Sequence, residues 1–340
     1  MAGLTVLLQR HLQRPALSRL VVTEAVDAFE AVGPWFLTLF TLAVMGLTVH
    51  WTTDQPPIRF YLIITYASAV SLIISSPLHT LLNRYLADEL FRGRYRTIVN
   101  NLTGLSIVMA AVSAAAALPL ALVSTMALDL KIAFISLTML MSLLWCVSAV
   151  MCALRKERLL LGAYALGMSL AVALFVIGGF HETQTMLLTF SLGLAVPTAY
   201  GFAFVLKVFL REAVGVQWRF FRRQHAGKVG LSIFVFNLGF WCDKFIFWFD
   251  RRSGQPLDPL FHYCIDYDLP FFIALSTMML GAVMVYRGIK RKIIGPYEAF
   301  LFKLTHNFPF RELALEKLRL FQGISQVSKA ILAFYGTMAL

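Results

Sequence analysis

The sequence predicts an all-α polytopic membrane protein, and three observations lead there. Hydrophobic residues fill 59% of the 340 positions and charged residues only 14%, with a mean hydropathy of +0.73; a globular domain carries about 25% charged side chains. Apolar runs of about 20 residues, the length at which a helix crosses roughly 30 Å of hydrocarbon, recur along the whole chain. Lysine and arginine collect in every second connection between those runs, as the charge bias of membrane topology requires.

Residues 4–28 set Leu4, Leu7, Leu8 and Leu12 among Arg10, Arg14 and Arg19, with Pro15 between them, which predicts an interfacial amphipathic helix broken once. The first span, residues 29–50, has Gly33-Pro34-Trp35 in its opening turns, and Glu30 reads as an acid at the helix start. After Pro56-Pro57 comes the second span, residues 59–82, with Pro77 near its end. Residues 83–100 carry Arg84, Arg92, Arg94 and Arg96 beside an apolar side of Leu86, Leu90 and Phe91, predicting a separate short surface helix. The third span, 102–126, holds four consecutive alanines and Pro119; the fourth and fifth are 131–154 and 159–180; the sixth, 185–208, has Pro197 in mid-membrane. Pro34, Pro77, Pro119 and Pro197 are the expected kinks, since bent helices suit a protein that moves.

Between the sixth and seventh spans, Lys207, Arg211, Arg219, Arg222, Arg223 and Lys228 alternate with Trp218, Phe220 and Phe221. Such interleaving can bind single-stranded nucleic acid, but between two membrane helices it fits anionic lipid headgroups, and no nucleic acid is expected. The seventh span, 229–249, is apolar except at Asn237, Asp243 and Lys244. Charges within hydrocarbon cost several kcal/mol, so they normally face a cavity or one another. Asn237, Trp241, Asp243 and Lys244 are therefore the candidate cavity and substrate residues, with three roles open for the charges: lining a polar cavity, pairing with another helix, or snorkelling of the lysine.

Tyr267-Asp268-Leu269-Pro270 opens the eighth span, 267–287, with the acid near the N-cap and the proline in the first turn. A basic amphipathic stretch, 290–329, leads to eleven apolar residues. These reach about 16 Å, against roughly 30 Å of hydrocarbon, so an incomplete ninth span is expected. The resulting organisation is an amphipathic segment (1–28), a six-helix first lobe (29–209), a basic linker (210–228) and a partial second lobe (229–340).

With the N-terminus inside, the cytoplasmic segments hold 25 Lys and Arg and the outer loops four, namely Arg59, Lys131, Arg251 and Arg252. The net charge of +12 is then a topological signal and requires no acidic partner. Three function classes remain: a transporter, a membrane-embedded enzyme and a scaffold subunit. The chain has no HExxH, no G-x-S-x-G, no P-loop and no histidines at i, i+4, while His50, His79, His181 and His262 fall near span ends. Neither catalysis nor a metal or other cofactor is expected. Cys146, Cys152, Cys242 and Cys264 have no metal-site or disulfide spacing.

The stretch Asn237-Leu238-Gly239-Phe240-Trp241-Cys242-Asp243-Lys244-Phe245-Ile246-Phe247-Trp248-Phe249, followed by Ser253-Gly254-Gln255 and Tyr267-Asp268-Leu269-Pro270, resembles the Pel-type exopolysaccharide transporter family (PelG). Met1-Ala2-Gly3 and Gly33-Pro34-Trp35 are similar to it too. The resemblance implies the multidrug/oligosaccharidyl-lipid/polysaccharide flippase superfamily, with two six-helix lobes around a cavity and alternating access. It implies an amino-sugar-rich polysaccharide substrate, made by a cytoplasmic glycosyltransferase, crossing a bacterial inner membrane with other membrane subunits as partners. Ending within the ninth of twelve expected spans, residues 1–340 alone are not expected to export polymer.

Overall fold

The structure, a computed structural model, describes residues 17–53, 57–93, 96–179, 182–209, 215–218 and 226–338. Helix follows helix: α1 (Leu17–Thr53), α2 (Ile58–Phe91), α3 (Arg96–Val123), α4 (Leu128–Ala153), α5 (Glu157–Gly178), α6 (Thr183–Phe209) and α7 (Ala226–Phe249). Two short strands, β1 (Gln255–Pro256) and β2 (His262–Tyr263), pair antiparallel in the next loop. Then come α8 (Ile265–Gly288), a π-helical turn (Ile289–Ile293), α9 (Ile294–Thr305) and α10 (Phe310–Met338). Among the described residues eight stretches are long and apolar enough to cross a membrane, so the chain is an all-α polytopic membrane protein. The amphipathic segment lies outside the described residues up to position 16; from Leu17 the helix runs without interruption into the first span. Of the basic linker, only residues 215–218 and 226–228 are described.

The chain divides into two compact units, 34–269 and 1–33 with 270–340. In the first, α2 packs on α3, α4 and α7, and α4 packs on α3 and α6. Its core is built from Phe60, Ile63, Leu82, Leu86, Ile98 and Phe134, all fully buried. One interhelical polar contact joins small side chains: Ser113 on α3 meets Ser142 on α4 at 2.7 Å, and Ser142 also donates to the Thr138 carbonyl. Small hydroxyls suit this position because each can satisfy itself on its own helix as well as on its neighbour.

The four expected proline positions all fall inside helices, Pro34 in α1, Pro77 in α2, Pro119 in α3 and Pro197 in α6. Each lacks the N–H that would bond to the carbonyl four residues earlier. For Pro77 that carbonyl is Ile73, which lies 3.4 Å from the Ser76 hydroxyl. For Pro197 it is Gly193, and α5 passes close to the freed oxygen: a Cβ on Gly167 would sit 2.2 Å from it. The proline thus frees a backbone oxygen, and the glycine lets the next helix approach it.

The separate surface helix expected over 83–100 does not form. Instead α2 continues to Phe91, the chain turns at Arg92 and Gly93 (φ 70°), and α3 begins at Arg96. Tyr85, Leu86 and Glu89 belong to the buried side of α2, and Ile98, Val99 and Leu102 to that of α3. The Glu89 carboxylate takes the Thr97 hydroxyl at 3.3 Å and faces Arg92 at 3.6 Å. Asn101 is fully buried and donates to the Thr97 carbonyl.

In the second unit α10 runs antiparallel to the α8–α9 stretch. Val327 rests on Gly288, Tyr335 on Gly281, and a Cβ at Gly323 would lie 2.4 Å from the Lys292 carbonyl, so only glycine admits this approach. The eleven apolar residues expected as a partial ninth span continue α10 as far as Met338 without a break. Glu30, read from sequence as a helix-start acid, lies well inside α1 and accepts from the Tyr286 hydroxyl (3.0 Å) and Lys290 Nζ (3.1 Å).

Candidate functional site

The seventh span ends in aromatic residues because its last turns pack beneath a loop. Trp248, 1% exposed, stacks on Tyr66 of α2 with ring centroids 4.7 Å apart, and Tyr66 meets Phe261, which in turn packs edge-on against Phe134 of α4. The Tyr66 hydroxyl lies 3.2 Å from the His262 carbonyl and accepts the His262 N–H at 3.2 Å. Asp258 fastens the same loop to the α3–α4 turn, accepting from Ser124 Oγ (2.5 Å) and from the N–H groups of Thr125, Leu260 and Phe261. Burial alone would raise its carboxyl, but these hydrogen bonds outweigh that and hold it below the ordinary value.

Under this loop the two adjacent charges of α7 diverge, as residues about 100° apart on a helix must. Lys244 Nζ reaches Asp268 Oδ1 on α8 at 2.8 Å, with the lysine side chain 8% and the aspartate 27% exposed. Trp248 Nε1 donates to both oxygens of Asp268, at 3.1 and 3.0 Å, and the Cys264 N–H donates to Oδ2 at 3.1 Å. Asp268 thereby faces a cation, an indole and the start of its own helix, where the macrodipole favours a carboxylate. Lys244 also lies 5.2 Å from the centroid of the Trp248 ring. Asp243 takes its hydrogen bond from the Tyr267 hydroxyl, and the Tyr267 ring stacks on Phe247 at 4.2 Å.

The remaining two sequence-selected residues stand apart from this cluster. Asn237 donates to the Ile233 carbonyl of its own helix at 3.0 Å. Trp241 packs against Ala69 and Ile73 of α2, and its indole N–H is buried with no hydrogen-bond partner among the described residues. Sequence reasoning did not assign Tyr267 and Asp268 to the charged pair, reading Asp268 only as a helix-start acid. A signal exists in retrospect: Asp243-Lys244 and Tyr267-Asp268 are two adjacent pairs, each partner 24 residues from its mate, across a loop rich in glycine and proline.

The cluster holds carboxylates, one ammonium, one phenol and flat aromatic faces, which is chemistry for binding hydroxyl-rich or amine-bearing molecules. Among the described residues no three His, Cys, Asp or Glu side chains are grouped to hold a metal, and all four cysteines are free thiols. No curated protein matches the chain. No solved structure matches it either. The family model PelG, described as "Putative exopolysaccharide Exporter (EPS-E)", matches residues 1–340. With that match over its full length and eight stretches able to cross a bilayer, the chain belongs to the PelG family of exopolysaccharide exporters.

Proposed function

We propose that this protein moves an amino-sugar-rich exopolysaccharide from cytoplasm to periplasm across the bacterial inner membrane by alternating access, with its N-terminus inside. The family match carries the transport role. The 25-to-four distribution of Lys and Arg supports the orientation. In this reading the partners are the cytoplasmic glycosyltransferase that makes the polymer and further membrane subunits. The chain is organised as a first lobe over 29–209 and a second segment over 229–340, joined by the basic linker 210–228.

Within that scheme Asp243, with Tyr267 beside it, is the substrate-contacting group, and Lys244 with Asp268 ties α7 to the residues that open α8. Asn237 and Trp241 extend the same helix toward the membrane centre as further cavity residues. What supports the assignment is a difference in saturation. Asp268 is engaged by three donors, whereas Asp243 has the Tyr267 hydroxyl and the Lys244 backbone N–H. A carboxylate beside stacked aromatic rings suits an ammonium or hydroxyl on a sugar whose C–H face packs on the ring.

The test is Asp243→Asn in cells that depend on this transporter, reading polymer export and membrane abundance together. Export should fall at least tenfold with abundance unchanged; normal export would remove Asp243 from the substrate path. Orientation is tested separately by single cysteines at Ser253 and Lys156 in a cysteine-free background. An impermeant thiol reagent added outside should label the first and spare the second.

A further inference from the structure

One acidic side chain of α1 is held by residues from the other end of the sequence. The Glu30 carboxylate, 4% exposed, accepts from the Tyr286 hydroxyl at 3.0 Å and from Lys290 Nζ at 3.1 Å, and that ammonium lies 5.6 Å from the centroid of the Tyr286 ring. A buried carboxylate engaged by a phenol and an ammonium is hard to separate from them, because the charge left behind would be desolvated and unpaired. The described part of α1 up to Gly33 accordingly belongs to one compact unit with residues 270–340.

Just beyond Glu30 the helix is weakened. Pro34 has no N–H to give the Glu30 carbonyl, and Gly33 before it has no side chain to stiffen the turn. Thr38 Oγ1 donates to the Pro34 carbonyl at 2.8 Å, a back-bond of the kind that bends helices. The division between the two compact units falls at this step, with Gly33 on one side and Pro34 on the other, although α1 stays helical through it. A firm tie to another helix immediately before a weakened turn is the arrangement of a strap and a hinge.

We propose that Glu30 straps residues 17–33 of α1 to α8, so that this segment travels with the hairpin, and that Gly33-Pro34 is the hinge at which it turns against residues 34–53. Tyr286 and Lys290 are the positioning residues of the strap. Displacement of α8 is thereby passed into the first span without breaking its helix. For its purpose the inference rests on the transport reading, but its experiment measures distances within the chain, so either can fail without the other.

Pulsed electron double resonance on the full chain in lipid nanodiscs, cysteine-free except for paired spin labels, reads both parts. Labels at Phe29 and Ile289, both exposed, span the strap; labels at Phe29 and Trp51 span the hinge and would lie ~33 Å apart on a straight helix. The strap pair should give one narrow distance and the hinge pair a broad or double one. E30Q should raise the population at longer strap distances about tenfold, as loss of a charged hydrogen-bond partner does, and E30K/K290E should reverse the change. G33A/P34A should narrow the hinge distribution and leave the strap distance as it was. A strap distance unmoved by E30Q overturns the strap, even if the variant unfolds at a lower temperature, since a merely stabilising pair would do that too. A hinge distribution equally broad with and without Pro34 overturns the hinge. Should E30Q lose helix content, K290Q on the partly exposed partner decides the matter: longer strap distances support the proposal, and unchanged ones refute it.

Discussion

The helical bundle of residues 34–269 and the α8–α10 hairpin of residues 270–338 are held together by different means. In the bundle, 56% of the apolar window of α2 is buried; in the α8 run the share is 6%. Among the described residues of the hairpin Val327 is the one buried apolar side chain, and what joins α10 to its neighbours is glycine contact and an ion-pair network of Lys303, Glu312, Glu316 and Arg319. Since lipid tails are as apolar as leucine, burial gives no hydrophobic gain within the bilayer, and association depends on close approach and polar pairing. The bundle relies chiefly on the first, and the hairpin on both.

Four substitutions test this contrast: three losses, from the largest expected to the smallest, and one control, Gly239→Ala. Gly167→Val pushes two methyl groups toward the Gly193 carbonyl and should cost about 3 kcal/mol, seen as loss of membrane abundance, because neither backbone can yield. Gly239→Ala, with nothing within 4 Å of the added carbon, should be neutral or slightly stabilising. Lys244→Met leaves Asp268 without its cation and should cost about 2 kcal/mol, less than the roughly 3–5 of a fully buried pair because Asp268 keeps partial exposure. Thermal unfolding in detergent measures it, and an unchanged midpoint would mean that the pair contributes nothing. In the hairpin, Glu316→Gln removes two ion pairs whose cations are partly solvated and should cost about 1 kcal/mol, fading in high salt.

Among the losses, the smallest is a pH dependence. Asp258 is held below its ordinary value, so its contribution to the loop is present above the unfolded carboxyl value of about 4 and is lost as pH falls through the lower folded value. Proteolysis of residues 250–264 should thus be flat from pH 8 to 5 and rise only below about pH 4, whereas Asp258→Ala should be cleaved faster throughout.

The helices were legible because length and hydropathy are local properties: each observed span overlaps an expected one, and Pro34, Pro77, Pro119 and Pro197 fall inside helices as read. The stretch 83–100 misled because four arginines dominate its composition, while its buried side is formed only when α2 and α3 close at Gly93. At the candidate site Asp243 and Lys244 stood out as charges in an apolar run, but their partners did not. Tyr267 and Asp268 sit at a helix start, where an acid has an ordinary explanation, and pairing across a loop leaves no periodicity. Glu30 has the same history, its partners Tyr286 and Lys290 lying 256 and 260 residues away.

The distance along the chain between partners also orders events during synthesis. Ser113 and Ser142 are 29 residues apart, so that mid-bundle bond can close as soon as α4 follows α3 into the bilayer. The Tyr66 hydroxyl must wait for Leu260 and His262, 194 and 196 residues later. At about 5–20 residues per second that delay is roughly 10–40 s. A hydroxyl left unmatched for so long in hydrocarbon would seek any acceptor nearby, native or not, whereas one at the water boundary stays hydrated until its partner is made. The late-closing contacts of Tyr66, Ser124 and Asp258 all meet the loop of residues 250–264, and a polar contact placed between two helices, Ser113 with Ser142, is one that closes early.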